Sequence, residues 1–176
     1  MPAMEEKGAR IAIRPAAAAD AAILLGFVRE LAAYEKLSHE AVATEAMLAA
    51  ALFGPRPFAE ALIAEWDGAP VGFALFFHTF STFVGRPGLY LEDIYVRPAH
   101  RRHGVGHALL RELAAIALAR DCGRLEWAVL DWNEPAIRFY REKLGARAMD
   151  EWTVQRLDRA RIKALAESPV IPSTKD

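Results

Sequence analysis

The sequence holds a single cysteine, Cys122, in 176 residues. An internal disulfide and a cysteine-based metal site are therefore both excluded. It has no excess of charge of either sign: 22 Lys and Arg stand against 23 Asp and Glu, a net charge of −1. A general attraction to DNA or to an anionic membrane is excluded on that ground. No apolar run approaches the roughly 20 residues that span a bilayer. The alanine-rich stretch Ala16–Val28 is broken by Asp20 and preceded by Glu5 and Glu6, unlike the apolar core of a secretory signal. The five histidines lack metal-ligand spacing: His103 and His107 are one helical turn apart but no third ligand matches them. These absences predict a soluble cytoplasmic protein with no metal and with no nucleic-acid or membrane partner.

What is present fits one ordinary globular domain covering 1–176. Hydrophobic residues make up 53%, but alanine alone supplies about a fifth of the chain, so Ile, Leu, Val and the 10% aromatics must form the core. Arg10–Pro15 alternates and stops at proline, as a strand does. Asp20 is placed to cap a helix carrying Ile23, Leu24, Phe27, Leu31 and Tyr34 at helical spacing. A shorter helix follows Thr44 and ends at Gly54-Pro55. Phe58–Trp66 and Pro70–Phe80 flank Asp67-Gly68, a strong hairpin signal. Leu89–Val96 reads as a strand and Gly104–Ala119 as a helix closed by Gly123. Arg124–Leu130 is a strand, Pro135–Leu144 a helix stopping at Gly145, Trp152–Leu157 a last strand and Arg159–Glu167 a terminal helix. The tail from Ser168 is expected to fray. The mixed order of elements predicts an α/β domain with its core at about 11–158.

The segment Arg101-Arg102-His103-Gly104-Val105-Gly106 lies between a strand and a long helix. Helix N-termini present unpaired N–H groups, and glycines let a phosphate approach the backbone. Arg97, His100, His107 and Arg111 add to this basic cluster in a near-neutral chain. A dinucleotide-binding fingerprint fits less well, because its third glycine falls on Leu109 and seven residues separate strand from glycine. The Gly-Lys-Ser/Thr of a Walker loop is missing.

Arg101-x-x-Gly104-x-Gly106 resembles the acyl-CoA loop of the GNAT superfamily of N-acetyltransferases. Leu89–Val96 (LYLEDIYV), Trp132–Tyr140 (WNEPAIRFY), Ile13-Arg14-Pro15, Ala19-Asp20 and Glu30–Glu35 (ELAAYE) are similar to its diamine (spermidine/spermine) acetyltransferase branch. The resemblance runs from about Ile11 to Asp158. It implies a single-domain GNAT-like fold: a mixed, mostly antiparallel twisted sheet of about six to seven strands flanked by helices. It implies acetyl-CoA as co-substrate and transfer to a small cationic amine in a ternary complex. The cofactor would lie against Ile94, Tyr95 and Val96, the loop Arg101, Arg102, His103, Gly104, Val105, Gly106 and His107, and Asn133, Glu134, Pro135, Ala136 and Tyr140. Tyr140 would protonate the departing thiolate. Glu92 would bind the amine and accept its proton. Tyr34, Glu35, Asp93, Glu126, Trp127 and Trp152 would complete the acceptor site. A homodimer is implied by the family as well.

Alternation places Glu92 and Asp93 on opposite faces of their strand, with Glu92 on the side of Ile94, unless a bulge resets the phase. Thr79–Gly88 and Arg147–Trp152 depart from the polyamine enzymes' pattern, which leaves polyamines, diamines and thialysine-like amino acids open as acceptors. A non-catalytic acyl-CoA sensor would keep the Arg101–Gly106 loop without needing Tyr140 or Glu92. A protein or antibiotic amine is a further alternative acceptor.

Overall fold

The computed structural model describes residues 10–170. The chain divides into two compact units, one up to Ala128 and one from Val129.

The first unit is built on a five-stranded sheet in the order β1-β2-β3-β4-β5. Strands β1 (Ile11–Pro15), β2 (Glu60–Trp66), β3 (Ala69–Ser81) and β4 (Arg86–Val96) run antiparallel to their neighbours, and β5 (Leu125–Trp127) pairs parallel to β4. Asp67 and Gly68 both take positive φ, 49° and 83°, as a two-residue hairpin turn between twisted strands requires. Gly72 is needed where β3 meets β4, because a Cβ there would stand 2.5 Å from the Tyr95 carbonyl oxygen.

Three helices complete the unit: α1 (Ala21–Tyr34), α2 (Glu45–Phe53) and α3 (Val105–Ala119). The Thr44 hydroxyl accepts the Met47 N–H at the start of α2. Asp20, expected to cap α1, does not: its carboxylate accepts the Ala17 N–H and a two-pronged bond from the Arg14 guanidinium, at 2.7 and 2.9 Å. That charge-assisted pair outcompetes a neutral cap and holds the Asp20 carboxyl below the usual range. The α1 stripe Leu24, Phe27 and Leu31 packs on Ile63, Phe73 and Tyr95, with the Phe27 and Phe73 rings stacked 5.8 Å apart. On α3, Val105, Leu109, Leu110, Leu113 and Ala117 are buried. It closes on Asp121, in the left-handed region at φ 53°, rather than on Gly123; the Cys122 N–H reaches back to the Ala117 carbonyl.

The second unit carries α4 (Glu134–Arg138), continued by a π-helical turn over Phe139–Lys143, and α5 (Arg159–Ala166), capped by the Asp158 carboxylate on the Arg161 N–H. Gly145, at φ 70°, ends the α4 region as the sequence predicts.

Two expectations are corrected. The strand Arg124–Leu130 shrinks to Leu125–Trp127, because β4 leaves the ladder's register right after Leu91, the partner of Trp127. Trp152–Leu157 is irregular rather than a strand: the described residues of its unit hold no other strand to pair with, and Trp152 and Val154 are exposed. The described sheet thus has five strands, not six or seven. Of the tail expected to fray, Ile171–Asp176 lie outside the described residues. Among the described residues no helix is long and apolar enough to cross a membrane.

Candidate active site

The β3–β4 ladder holds one irregularity that shapes the site. Leu75 pairs with Asp93 and Phe76 with Leu91, so Glu92 is an extra residue on β4, a β-bulge. Leu75 packs on the α1-side core, and Asp93 opposite it shares that face. Glu92 stands there by alternation from Leu91, whose partner Phe76 faces Arg120 at the end of α3. The bulge therefore turns both carboxylates toward α1 and leaves Ile94, opposite Ala74, on the other face. This corrects the expectation that Glu92 and Asp93 point to opposite sides.

Helix α1 delivers a third carboxylate. It stops because Lys36 takes the left-handed conformation at φ 62°, leaving Tyr34 and Glu35 in its final turn. Burial raises the Glu35 carboxyl above its usual range. Asp93 is raised to about 6, first by burial and then by the negative charges of Glu92 and Glu35. Glu92 itself is exposed. Tyr90, a residue not singled out from the sequence, joins this face: burial and the charges of Glu92 and Glu126 raise its phenol. Its alternation with Glu92 in LYLEDIYV was the available signal. Glu126 is paired with Arg124 at 2.8 Å, and Trp127 is half-buried in β5.

The bulge also resets the main chain. The Arg97 N–H donates to the Val71 carbonyl, and bonded pairs alternate in an antiparallel ladder. Tyr95 and Asp93 therefore bond toward β3, while the N–H groups of Ile94 and Val96 point away from it, beyond the end of the β5 ladder at Leu91–Trp127. Two main-chain donors two residues apart on an open strand suit a carbonyl and an amide chain laid along the edge.

The loop after β4 forms a turn at Pro98–His100 and then passes through two left-handed residues, Arg102 (φ 64°) and Gly104 (φ 87°), before α3 begins. Such an alternation curls successive N–H groups into an anion-binding concavity at a helix N-terminus. A Cβ on Gly106 would meet nothing within 4 Å, so the backbone there is open to a ligand. Arg102, His103 and His107 are exposed around it, and His103 lies edge-on to Trp66 at 5.3 Å. A groove of about 410 Å³ between β1 and α3 is lined by Ile11, Ile13, Gly104, His107, Ala108, Arg111 and Glu112, and Glu35, Glu92 and Asp93 lie outside it. Arg97 and Arg101 turn away from the loop, toward α1: Arg97 pairs with Glu30 at 2.9 Å, and the Arg101 guanidinium lies over Tyr34.

In the second unit, Asn133 is buried and its carbonyl accepts the Ile137 N–H at the start of α4, whose first turn is Glu134, Pro135 and Ala136. Tyr140 sits in the π-helical turn, 5.7 Å from the Phe139 ring, and its carbonyl accepts the Ala146 N–H. Single π turns are rare and concentrate where a side chain is set out of helical phase for a task. Trp152 stands exposed in the irregular segment.

Comparison with known proteins agrees with this geometry. Residues 28–146 match the acetyltransferase (GNAT) family. The chain is 41% identical over 151 residues to a thialysine N-epsilon-acetyltransferase of Sus scrofa, covering 81% of this chain and 88% of that protein. It is 30% identical to the L-ornithine N5-acetyltransferase NATA1 of Arabidopsis thaliana, covering 87% of this chain and 86% of that protein. Among solved structures, an integron cassette protein from the mobile metagenome of V. cholerae superposes with a TM-score of 0.75 at 27% identity, over 90% of this chain and 98% of that one. With its open β4 edge, its glycine-bearing loop leading into α3 and a family match over most of its length, the chain belongs to the GNAT family of acetyltransferases.

Proposed function

We propose that this acetyltransferase moves an acetyl group from acetyl-CoA to a primary amine of a small cationic substrate, by direct transfer in a ternary complex. The acceptor class is a polyamine, a diamine or a thialysine-like amino acid. The observation that carries this reading is the carboxylate group Glu35, Glu92 and Asp93 gathered at the bulge. Three acids held together by the fold attract a cation carrying more than one ammonium group. The names of the thialysine and ornithine enzymes support the same class of acceptor.

The chemistry needs a neutral amine. Deprotonating an ammonium of pKa near 10 at pH 7 costs about 4 kcal/mol. Glu92 binds the ammonium and, with Asp93, accepts its proton. Asp93, raised to about 6, is matched to accept a proton near neutral pH. The amine nitrogen then bonds to the acetyl carbon as the carbon–sulfur bond breaks. Between them, the N–H groups of Ile94 and Val96 hold the thioester carbonyl and the amide chain behind it, and a donor on that carbonyl stabilises the transition state by about 3–4 kcal/mol. In the role its resemblance to the family gives it, Tyr140 gives the thiolate a proton and regains one from solvent, while the nitrogen sheds its second proton to solvent as the amide forms. The loop Arg102–His107 holds the pyrophosphate. Acetyl-CoA use and a lone cysteine support a cytoplasmic location. The exposed aromatic tip of the β3–β4 hairpin, Phe80 and Phe83, supports a homodimer, which sedimentation tests directly.

Thiol release from acetyl-CoA, measured across spermidine, spermine, thialysine, lysine, ornithine, small diamines and aminoglycosides, decides the reading. Saturable turnover with the di- and polycationic amines is expected. Silence across the panel with acetyl-CoA binding intact by calorimetry overturns the acceptor class and favours a sensor or a protein amine. Failure to bind acetyl-CoA overturns the cofactor.

A further inference from the structure

Arg101 opens the loop that leads into α3, but its side chain goes elsewhere. Its Nε–H donates to the Val96 carbonyl at 2.8 Å. Its guanidinium carbon lies 4.6 Å from the centre of the Tyr34 ring and 5.5 Å from that of Tyr95. Four residues earlier, Arg97 does the same one level down: it lies 4.9 Å over the Phe27 ring and binds both oxygens of Glu30. Phe27, Glu30 and Tyr34 form one stripe of α1, at i, i+3 and i+7. Two arginines from the cofactor side thus grip consecutive turns of the helix that ends in Glu35.

We infer that Arg101 is a positioning residue for the acceptor amine: stacked on Tyr34 and anchored to the Val96 carbonyl, it sets the last turn of α1 and with it the Glu35 carboxylate beside Asp93. This rests on the amine-acetylating reading and extends it. The last turn lies at the surface end of the helix. Tyr34 is over a third exposed, Lys36 is left-handed, and beyond Leu31 the helix buries no side chain. A planar cation on an aromatic face holds orientation as well as charge, which a lysine ammonium does not reproduce. A bond from Arg101 to Val96 also ties the acceptor end to the edge whose N–H groups face the thioester.

The experiment pairs Arg101→Lys with Tyr34→Leu and the double variant, assayed by thiol release and by calorimetry with acetyl-CoA. Arg101→Lys is expected to raise the amine KM about tenfold, while kcat and the acetyl-CoA Kd stay within about twofold. Tyr34→Leu is expected to do the same, and the double variant to be no worse than either. Hydrogen exchange at the Glu35, Lys36 and Leu37 amides, which close onto the carbonyls of Leu31, Ala33 and Ala32, should quicken in Arg101→Lys, with no change at the start of α3. A raised acetyl-CoA Kd with unchanged amine KM would show Arg101 to be a phosphate ligand and overturn the inference. Additive effects in the double variant, or unchanged exchange at Glu35–Leu37, overturn it too. If the wild type acetylates no amine, the acceptor reading fails by itself, and the exchange measurement still decides the role of Arg101.

Discussion

Glu92 and Asp93 are consecutive in the chain, yet they present their carboxylates to the same face of the sheet. A regular strand separates neighbours by half a turn. Here the bulge at Glu92 removes that separation, and Asp93 becomes a half-buried acid flanked by two others.

Asp93 is therefore held against its own stability. Its folded pKa, about 6, lies above the ordinary carboxylate value of 3.8. A raised carboxyl stabilises the fold when protonated, and that contribution is lost as pH climbs from about 4 through about 6. Asp93→Asn should raise unfolding free energy at pH 8 by roughly 1–3 kcal/mol and leave it nearly unchanged at pH 4. The same variant should lose about a hundredfold or more in kcat/KM. Urea unfolding at the two pH values, beside the thiol assay, reads both; a destabilised variant at pH 8 would refute the charge-strain account.

Tyr140→Phe removes one proton and almost no volume. Turnover should fall by about a hundredfold or more, with the acetyl-CoA Kd changed little. Equal turnover removes Tyr140 from the reaction.

The glycines of the loop separate folding from binding. Gly104 holds φ 87°, so Gly104→Ala should cost about 1–2 kcal/mol of stability along with acetyl-CoA affinity. Gly106 lies inside α3 with open space where a Cβ would go, so Gly106→Ala should stabilise the protein by about 0.5–1 kcal/mol while weakening acetyl-CoA binding. Melting curves with and without acetyl-CoA distinguish them. Tighter binding by Gly106→Ala would move the phosphate site off this loop.

Gly72→Ala should be the most disruptive of the glycine changes. Its Cβ would meet backbone on β4, the Tyr95 carbonyl, rather than a yielding side chain. A loss of about 2 kcal/mol or more is expected, with faster exchange in the β3–β4 ladder. Wild-type melting would contradict the close approach.

Much of this was legible in the chain. Asp67-Gly68 between two apolar runs could form little but a tight hairpin, because few other pairs take positive φ twice. The apolar stripes of α1 and α3 followed from spacing alone. The basic, glycine-bearing segment between strand and helix was legible as a helix start with open backbone, because backbone N–H groups and missing Cβ atoms are local properties.

The remainder depended on partners distant in sequence. Asp20 carries a capping residue's side chain, but Arg14 took its carboxylate. Trp152–Leu157 read as a strand, but a strand exists only beside another, and the described residues of its unit supply none. Arg101 stands in the basic loop, yet its side chain reaches back to Tyr34 and the Val96 carbonyl. The bulge at Glu92 left no mark in LYLEDIYV, because register belongs to a pair of strands and not to either one. The sequence by itself determined most of the elements, the core stripes and the kinds of chemistry available. Only the tertiary structure decided that three carboxylates meet on one face and that two arginines hold α1, because those outcomes turn on which distant groups compete for each charge.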